Sequence, residues 1–149
     1  TRLCRDVAEF ISGDRTLLLA YNAHFDLSFL FYALRRDGDP AVLKGKDKLD
    51  LLTVYRDRRA YPHRLASAIE AYGLQDRVQN SHRAIDDVLA TVAVLQAMWE
   101  ERDDLLRYIN LFGYNARYGL EGKPISSVVY RPQGYEPGRP VYERVEAGV

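Results

Sequence analysis

The chain has 149 residues, 47% of them hydrophobic, enough for one ordinary globular core and too few to argue for two independent domains. Lys plus Arg and Asp plus Glu number 21 each, so no whole-molecule field draws in nucleic acid or an anionic membrane, and any such binding must be local. The single cysteine, Cys4, excludes an intrachain disulfide framework and a cysteine-rich zinc site; with no bilayer-length apolar run and no signal-peptide pattern, a soluble cytoplasmic protein with no membrane partner is expected.

In chain order, Leu3, Val7, Phe10 and Ile11 keep the spacing of an amphipathic helix, which Ser12-Gly13-Asp14 ends with turn chemistry. The chain opens at Thr1, inside this helix and without an initiator methionine, and reads as a fragment. Leu17-Leu18-Leu19-Ala20-Tyr21 is short and continuously apolar, as a strand covered on both faces should be. It runs through Asn22-Ala23-His24-Phe25-Asp26 into an apolar helix, Leu27 to Leu34, closed by Arg35-Arg36-Asp37-Gly38. From Asp39 to Lys48 the spacing predicts a polar loop carrying Lys44, Lys46 and Lys48, followed by a short strand around Leu49 to Leu51.

Arg56, Arg58, Arg59, His63 and Arg64 form the densest basic cluster, either a solvated connector or a phosphate contact, with His63 read as surface. Leu65, Ala68, Ile69 and Tyr72 make a helical stripe that ends at Gly73. A long helix is predicted from Ala84 to Trp99, then a short one within Leu105 to Phe112. Beyond it, glycines, prolines and tyrosines punctuate a loop-rich tail, 113–149, with one strand at Ser126 to Tyr130. Strands alternating with helices over short connections indicate an α/β fold, in which sites form at the carboxyl ends of strands.

Two carboxylates stand at such junctions. At about 100° per residue, Ile85, Val88, Val92, Leu95 and Trp99 define the apolar face of the long helix. Asp86 falls nearly opposite and is expected in solvent, whereas Asp87 falls on the flank of that face and should be partly enclosed, where a carboxylate needs a cation or hydrogen-bond partner. Asp26 likewise begins the side of its helix that carries Leu30 and Ala33. Taken singly, each reads as a first-turn acid complementing a helix dipole, with Asn22 capping the helix that carries Asp26. His82 lies about 140° from Asp87 on a continuous helix, so cooperation requires it to sit on the preceding loop. Enclosed carboxylates beside a loop histidine suit metal-assisted phosphodiester hydrolysis, in which carboxylate oxygens hold the ions and the histidine takes a proton from water.

Asn22-Ala23-His24-Phe25-Asp26 resembles the second motif of the DEDDh 3′–5′ exonucleases, and His82-Arg83-Ala84-Ile85-Asp86-Asp87 resembles their His-x-Ala-x-x-Asp third motif. Leu49 to Thr53 and His63 to Leu74 are similar to the segments between. The family is typified by the epsilon subunit of bacterial DNA polymerase III (DnaQ-like), and the likeness covers roughly Leu17 to Trp99.

The resemblance implies that residues 1–112 are the C-terminal part of a ribonuclease H-like exonuclease domain lacking the N-terminal strands of its sheet. It implies two divalent metal ions, Mg²⁺ or Mn²⁺, with Asp26 and Asp87 as ligands, His82 as general base, and Asn22 and Phe25 shaping the pocket for a 3′-terminal nucleotide. The partner would be a single-stranded DNA or RNA 3′ end, in company with DNA polymerase III or another replication protein. The first motif, a strand bearing Asp-x-Glu, is not present, so this chain alone is expected to be inactive. Two other readings are a non-catalytic interaction module of a replication or repair complex and a metal-independent single-strand binder that uses Arg56 to Arg64.

Overall fold

The computed structural model describes residues 2–13, 16–78 and 83–146. The elements in chain order are α1 (Arg2–Phe10), β1 (Leu17–Ala20), α2 (Ala23–Asp37), β2 (Asp47–Asp50), α3 (Leu51–Arg58), α4 (Leu65–Ala71), α5 (Ala84–Glu101), β3 (Leu111–Tyr114), β4 (Val129–Pro132) and α6 (Val141–Glu146). Short 3₁₀ turns at Pro40–Leu43 and Leu105–Tyr108 complete the path. The architecture is mixed α/β, as the alternation of patterns predicts.

All pairing is parallel. β1 runs beside β2 with Ala20 opposite Asp50, and β3 runs beside β4 with Leu111 opposite Val129. Asn110 laces the two pairs together. It adopts a left-handed conformation, φ 57°, which asparagine tolerates better than most residues. In that conformation its backbone N donates to Lys48 O at 2.8 Å, its Oδ1 accepts from Lys48 N at 2.9 Å, and its O accepts from Val129 N at 2.8 Å. β2 is thereby covered on both edges, and among the described residues β1 is an edge strand.

Period-two alternation decides which helix covers which face. Leu18 and Ala20 of β1 turn toward α2, where Ala23, Leu27, Leu30 and Leu34 meet them. Leu19 and Tyr21 turn toward the main core, built from Leu49, Leu51, Val54 and Tyr55 with Ala90, Val94 and Met98 of α5.

The register of α5 differs from the expectation. Its inward stripe is Asp86, Ala90, Val94 and Met98, at strict i, i+4 spacing. Ile85, Val88, Leu89, Val92 and Trp99 are exposed, Ile85 at 59% and Val88 at 56%. The prediction placed the bulkiest side chains inside. Small Ala90 and slender Val94 instead let the helix approach α3 and α4 closely, and the large residues are left on the outside. Asp86, expected in solvent, is buried, and Asp87 is half-buried as expected.

Two of the three lysines read as loop residues are also buried. Lys46 Nζ donates to Gly13 O at 2.6 Å and Lys48 Nζ to Lys46 O at 2.7 Å. Burial pushes the Lys48 ammonium below the usual lysine range, against the charge of Asp47.

The Gly/Pro/Tyr-rich segment is packed into the main core. Val141 and Tyr142 are buried there, and Asp57 of α3 gathers it: Oδ2 accepts from Tyr108 OH and Val141 N, each at 2.8 Å, and Oδ1 accepts from Gln133 Nε2 at 2.8 Å. Beside it, Arg58 donates to Asp104 Oδ1 at 2.7 Å while Tyr142 OH donates to Asp104 Oδ2 at 2.8 Å. Buried charges persist only with such partners.

Candidate active site

The turn from β1 into α2 is shaped by a carboxylate from another strand. Asn22 takes a left-handed conformation, φ 70°, and its side chain caps nothing, contrary to the expectation that it would cap α2. The cap is Asp50, the last residue of β2. Its Oδ1 accepts from Asn22 N at 2.9 Å, Ala23 N at 3.1 Å and Leu52 N at 3.1 Å, so one oxygen serves the start of α2 and the start of α3. Its Oδ2 accepts from Thr53 Oγ1 at 2.8 Å, and that hydroxyl accepts from Gly113 N of β3 at 3.0 Å. Burial drives the Asp50 carboxyl above the usual range, and the hydrogen bonds from Ala23, Thr53, Leu52 and Asn22 pull the other way. Sequence reading passed over Asp50, although an acid just before an apolar helix is a capping signal in its own right.

Asp26 stands in the first turn of α2, one turn beyond Asn22. It is exposed at the helix start, contrary to the expected enclosure, and makes no hydrogen bond or ion pair among the described residues. Desolvation raises its pKa above the ordinary aspartate value, and the negative charge of Asp50 adds to the rise. Asp87 stands in the first turn of α5; its Oδ1 is buried without a hydrogen-bond partner. Asp86 differs from it, because its Oδ2 accepts from Arg83 Nε at 2.9 Å. Of the two adjacent aspartates, Asp87 is the one that holds an uncommitted enclosed oxygen.

The remaining predicted residues separate. His82 lies outside the described residues. Phe25 is exposed beside Asp26, and Phe29 continues the same outward stripe one turn later. His24 is fully engaged: its Nε2 donates to Glu121 O at 2.7 Å, which leaves Nδ1 to accept from Tyr130 OH at 2.8 Å. His63 is half-buried, with Nε2 donating to Arg59 O at 2.8 Å and its ring edge-on to Tyr55 and Tyr61. Of the basic cluster, Arg58 and Arg59 are tied to Glu101, whereas Arg56 and Arg64 form no ion pair among the described residues.

The family profile for exonucleases of the RNase T type matches residues 3–95. The chain belongs to this exonuclease family. The match spans both junction carboxylates and ends inside α5, so β3, β4 and α6 of this exonuclease chain lie beyond it. Comparison with curated proteins and with solved structures gives no significant match. Membership indicates a nuclease-type function, and exonucleases of this family generally use divalent metals.

Asp26 and Asp87 offer the hard oxygen donors that Mg²⁺ or Mn²⁺ prefers, and the orphaned Asp87 oxygen is what a cation would satisfy. Among the described residues, however, no three His, Cys, Asp or Glu side chains gather in a metal-holding group. The described residues therefore do not by themselves assemble a metal centre. No described helix is long and apolar enough to cross a membrane.

Proposed function

We propose that this chain is the C-terminal part of a 3′–5′ exonuclease that removes nucleotides from the 3′ end of DNA or RNA by metal-assisted phosphodiester hydrolysis. The observation that supports this most is Asp87: an enclosed carboxylate oxygen without a partner, at the start of α5, in a chain whose other junction carboxylate, Asp26, is equally uncommitted.

In this reading Asp26 and Asp87 hold the divalent ions. When bound, such ions polarise the phosphate and lower the pKa of a water molecule. His82 would serve as general base toward the attacking water, a role carried by the sequence resemblance. Asp50 fixes the Asn22 turn so that Asn22 and Phe25 present themselves to the terminal nucleotide.

A two-ion centre uses more acidic ligands than Asp26 and Asp87, so chain 1–149 alone is inactive in this proposal. Incubating it with Mg²⁺ or Mn²⁺ and a 5′-labelled single-stranded oligonucleotide should give no product, while Mn²⁺ should bind weakly and be lost in Asp26→Asn and Asp87→Asn. Stepwise shortening from the 3′ end would overturn the inactivity; Mn²⁺ binding unchanged in both variants would overturn the ligand assignment. The physiological setting proposed is DNA replication or repair, beside a polymerase such as DNA polymerase III.

A second reading, a non-catalytic interaction module, is favoured by the exposed Ile85, Val88, Leu89 and Val92 on α5. Capture of a polymerase subunit that is abolished by Val88→Glu and indifferent to Asp87→Asn would favour it over the enzyme.

A further inference from the structure

A cleft of about 410 Å³ opens between the carboxyl ends of β1 and β3 and the connection from α3 to α4. Tyr21, Asn22, Arg56, Tyr61, Arg64 and Asn115 line it, and no carboxylate does. Its charge is therefore one-sided. Asp50, the nearest acid acting on Arg56, already accepts four hydrogen bonds. Arg56 is half-buried and donates Nη1 to Gly113 O at 3.1 Å; it makes no ion pair among the described residues, and its remaining donors stay accessible. Arg64 is exposed and likewise without an acidic partner among those residues. Two guanidinium groups at one polar cleft match the fork geometry that recognises phosphate oxygens.

The walls add a second kind of contact. The Tyr61 ring is 84% exposed and stands edge-on to His63 with centroids 5.9 Å apart. Tyr21 OH donates to His63 O at 2.7 Å, which pins this connection to the end of β1. An exposed ring on a pinned loop is a stacking platform for a base. Asn115 also lines the cleft; its Oδ1 accepts from Arg117 N at 2.9 Å, and its amide N–H groups make no hydrogen bond among the described residues. Asn22 belongs to this cleft and precedes Asp26 by four residues, so the cleft adjoins one of the two candidate metal ligands.

We infer that this cleft holds an internucleotide phosphate of the single strand whose 3′ end lies at Asp26 and Asp87, with Arg56 and Arg64 on the phosphate, Tyr61 against a base and Asn115 on the attached sugar or base. The inference rests on the exonuclease reading and adds to it. Asn115 and the Gly113 carbonyl that steadies Arg56 lie beyond the matched residues 3–95, so the C-terminal segment supplies one wall of the strand path.

The test is fluorescence anisotropy of labelled (dT)6 with chain 1–149 in EDTA, at several salt concentrations, and then with Mn²⁺. In EDTA, Arg56→Gln with Arg64→Gln should weaken binding about tenfold and flatten the salt slope by about 0.7, the value for one neutralised phosphate on a single strand. Tyr61→Ala should weaken it about fivefold or more, and Asn115→Ala severalfold. Arg64, Tyr61 and Asn115 are exposed, so loss of fold does not account for their effects. Unchanged affinity and salt slope in all four substitutions, or no binding of (dT)6 by the wild type, overturns the cleft. The two readings fail separately. Weakened EDTA binding in the arginine variants without any Mn²⁺-dependent tightening supports the cleft and removes the metal site. Mn²⁺-dependent tightening abolished by Asp87→Asn, with the arginine variants unaffected, does the reverse.

Discussion

Asp50 Oδ1 accepts the backbone N–H of Asn22 at 2.9 Å, so the last residue of one strand sets the conformation at the exit of its neighbour. The same oxygen starts α3. Asp50→Ala would leave the N–H groups of Asn22, Ala23 and Leu52 and the Thr53 hydroxyl without their acceptor. At about 1–3 kcal/mol for each buried donor left unmade, partly relieved by water, the expected loss is about 3 kcal/mol or more. For a chain of this size that lowers the melting temperature by roughly 6–12 °C. A calorimetric scan checks it, and a melting temperature within 2 °C of wild type would remove Asp50 from the role assigned.

Asp87→Asn should not destabilise the fold. The substitution removes a charge whose buried oxygen has no partner, so stability is expected to stay level or rise by up to about 1 kcal/mol, while Mn²⁺ affinity disappears. Urea melts read the first quantity and Mn²⁺ electron paramagnetic resonance the second. A variant that loses stability and keeps Mn²⁺ would mean that Asp87 serves the helix alone.

Glu101 gives the acid limb of stability a defined cause. Burial pushes its carboxyl up, but the hydrogen bonds from Arg59 and Tyr72 and the charges of Arg59 and Arg58 pull it below the ordinary glutamate range. A depressed carboxyl contributes stability that is present above its unfolded pKa, about 4.3, and is lost as pH falls through the lower folded value. Denaturation followed from pH 7 to pH 3 should show a shallower decline in Glu101→Gln than in wild type; parallel curves would sink the assignment.

Gly113→Ala is expected to destabilise through one neighbour. A Cβ at this position would fall on the side chain of Gln133, which is buried and donates to both Thr53 O and Asp57 Oδ1. Displacing Gln133 breaks both bonds, an expected loss of about 2–3 kcal/mol by urea denaturation. Gln133→Gly, which also removes the Cβ that the new methyl would meet at 2.9 Å, combined with Gly113→Ala should then cost no more than Gln133→Gly alone, which a double-mutant cycle tests.

The junctions were legible in the sequence because they are local: β1, α2 and α5 follow from short apolar runs, turn residues and periodicity, whereas Asp87 is half-buried because it flanks the Asp86, Ala90, Val94 and Met98 stripe and not the bulky face from which its enclosure was expected. Three features were not. The role of Asp50 depends on β2 lying beside β1, which no spacing within Leu49 to Thr53 encodes. The inward turn of Asp86 followed from close packing by Ala90, where a count of bulky residues pointed the other way. The C-terminal segment looked like loose chain since its glycines and prolines dominate the pattern, yet Val141 and Tyr142 carry enough apolar surface to anchor it in the core.

The inverted face of α5 reverses the usual expectation of which positions along a helix accept change. Ala90 has no exposed surface, and enlarging it would push α5 away from its neighbours, whereas Leu89 and Val92, beside it in sequence, reach outward. At Ala90 and Leu89 tolerance should therefore run opposite to side-chain bulk, so that a single added methylene at Ala90 does more harm than deleting the whole isobutyl group next door.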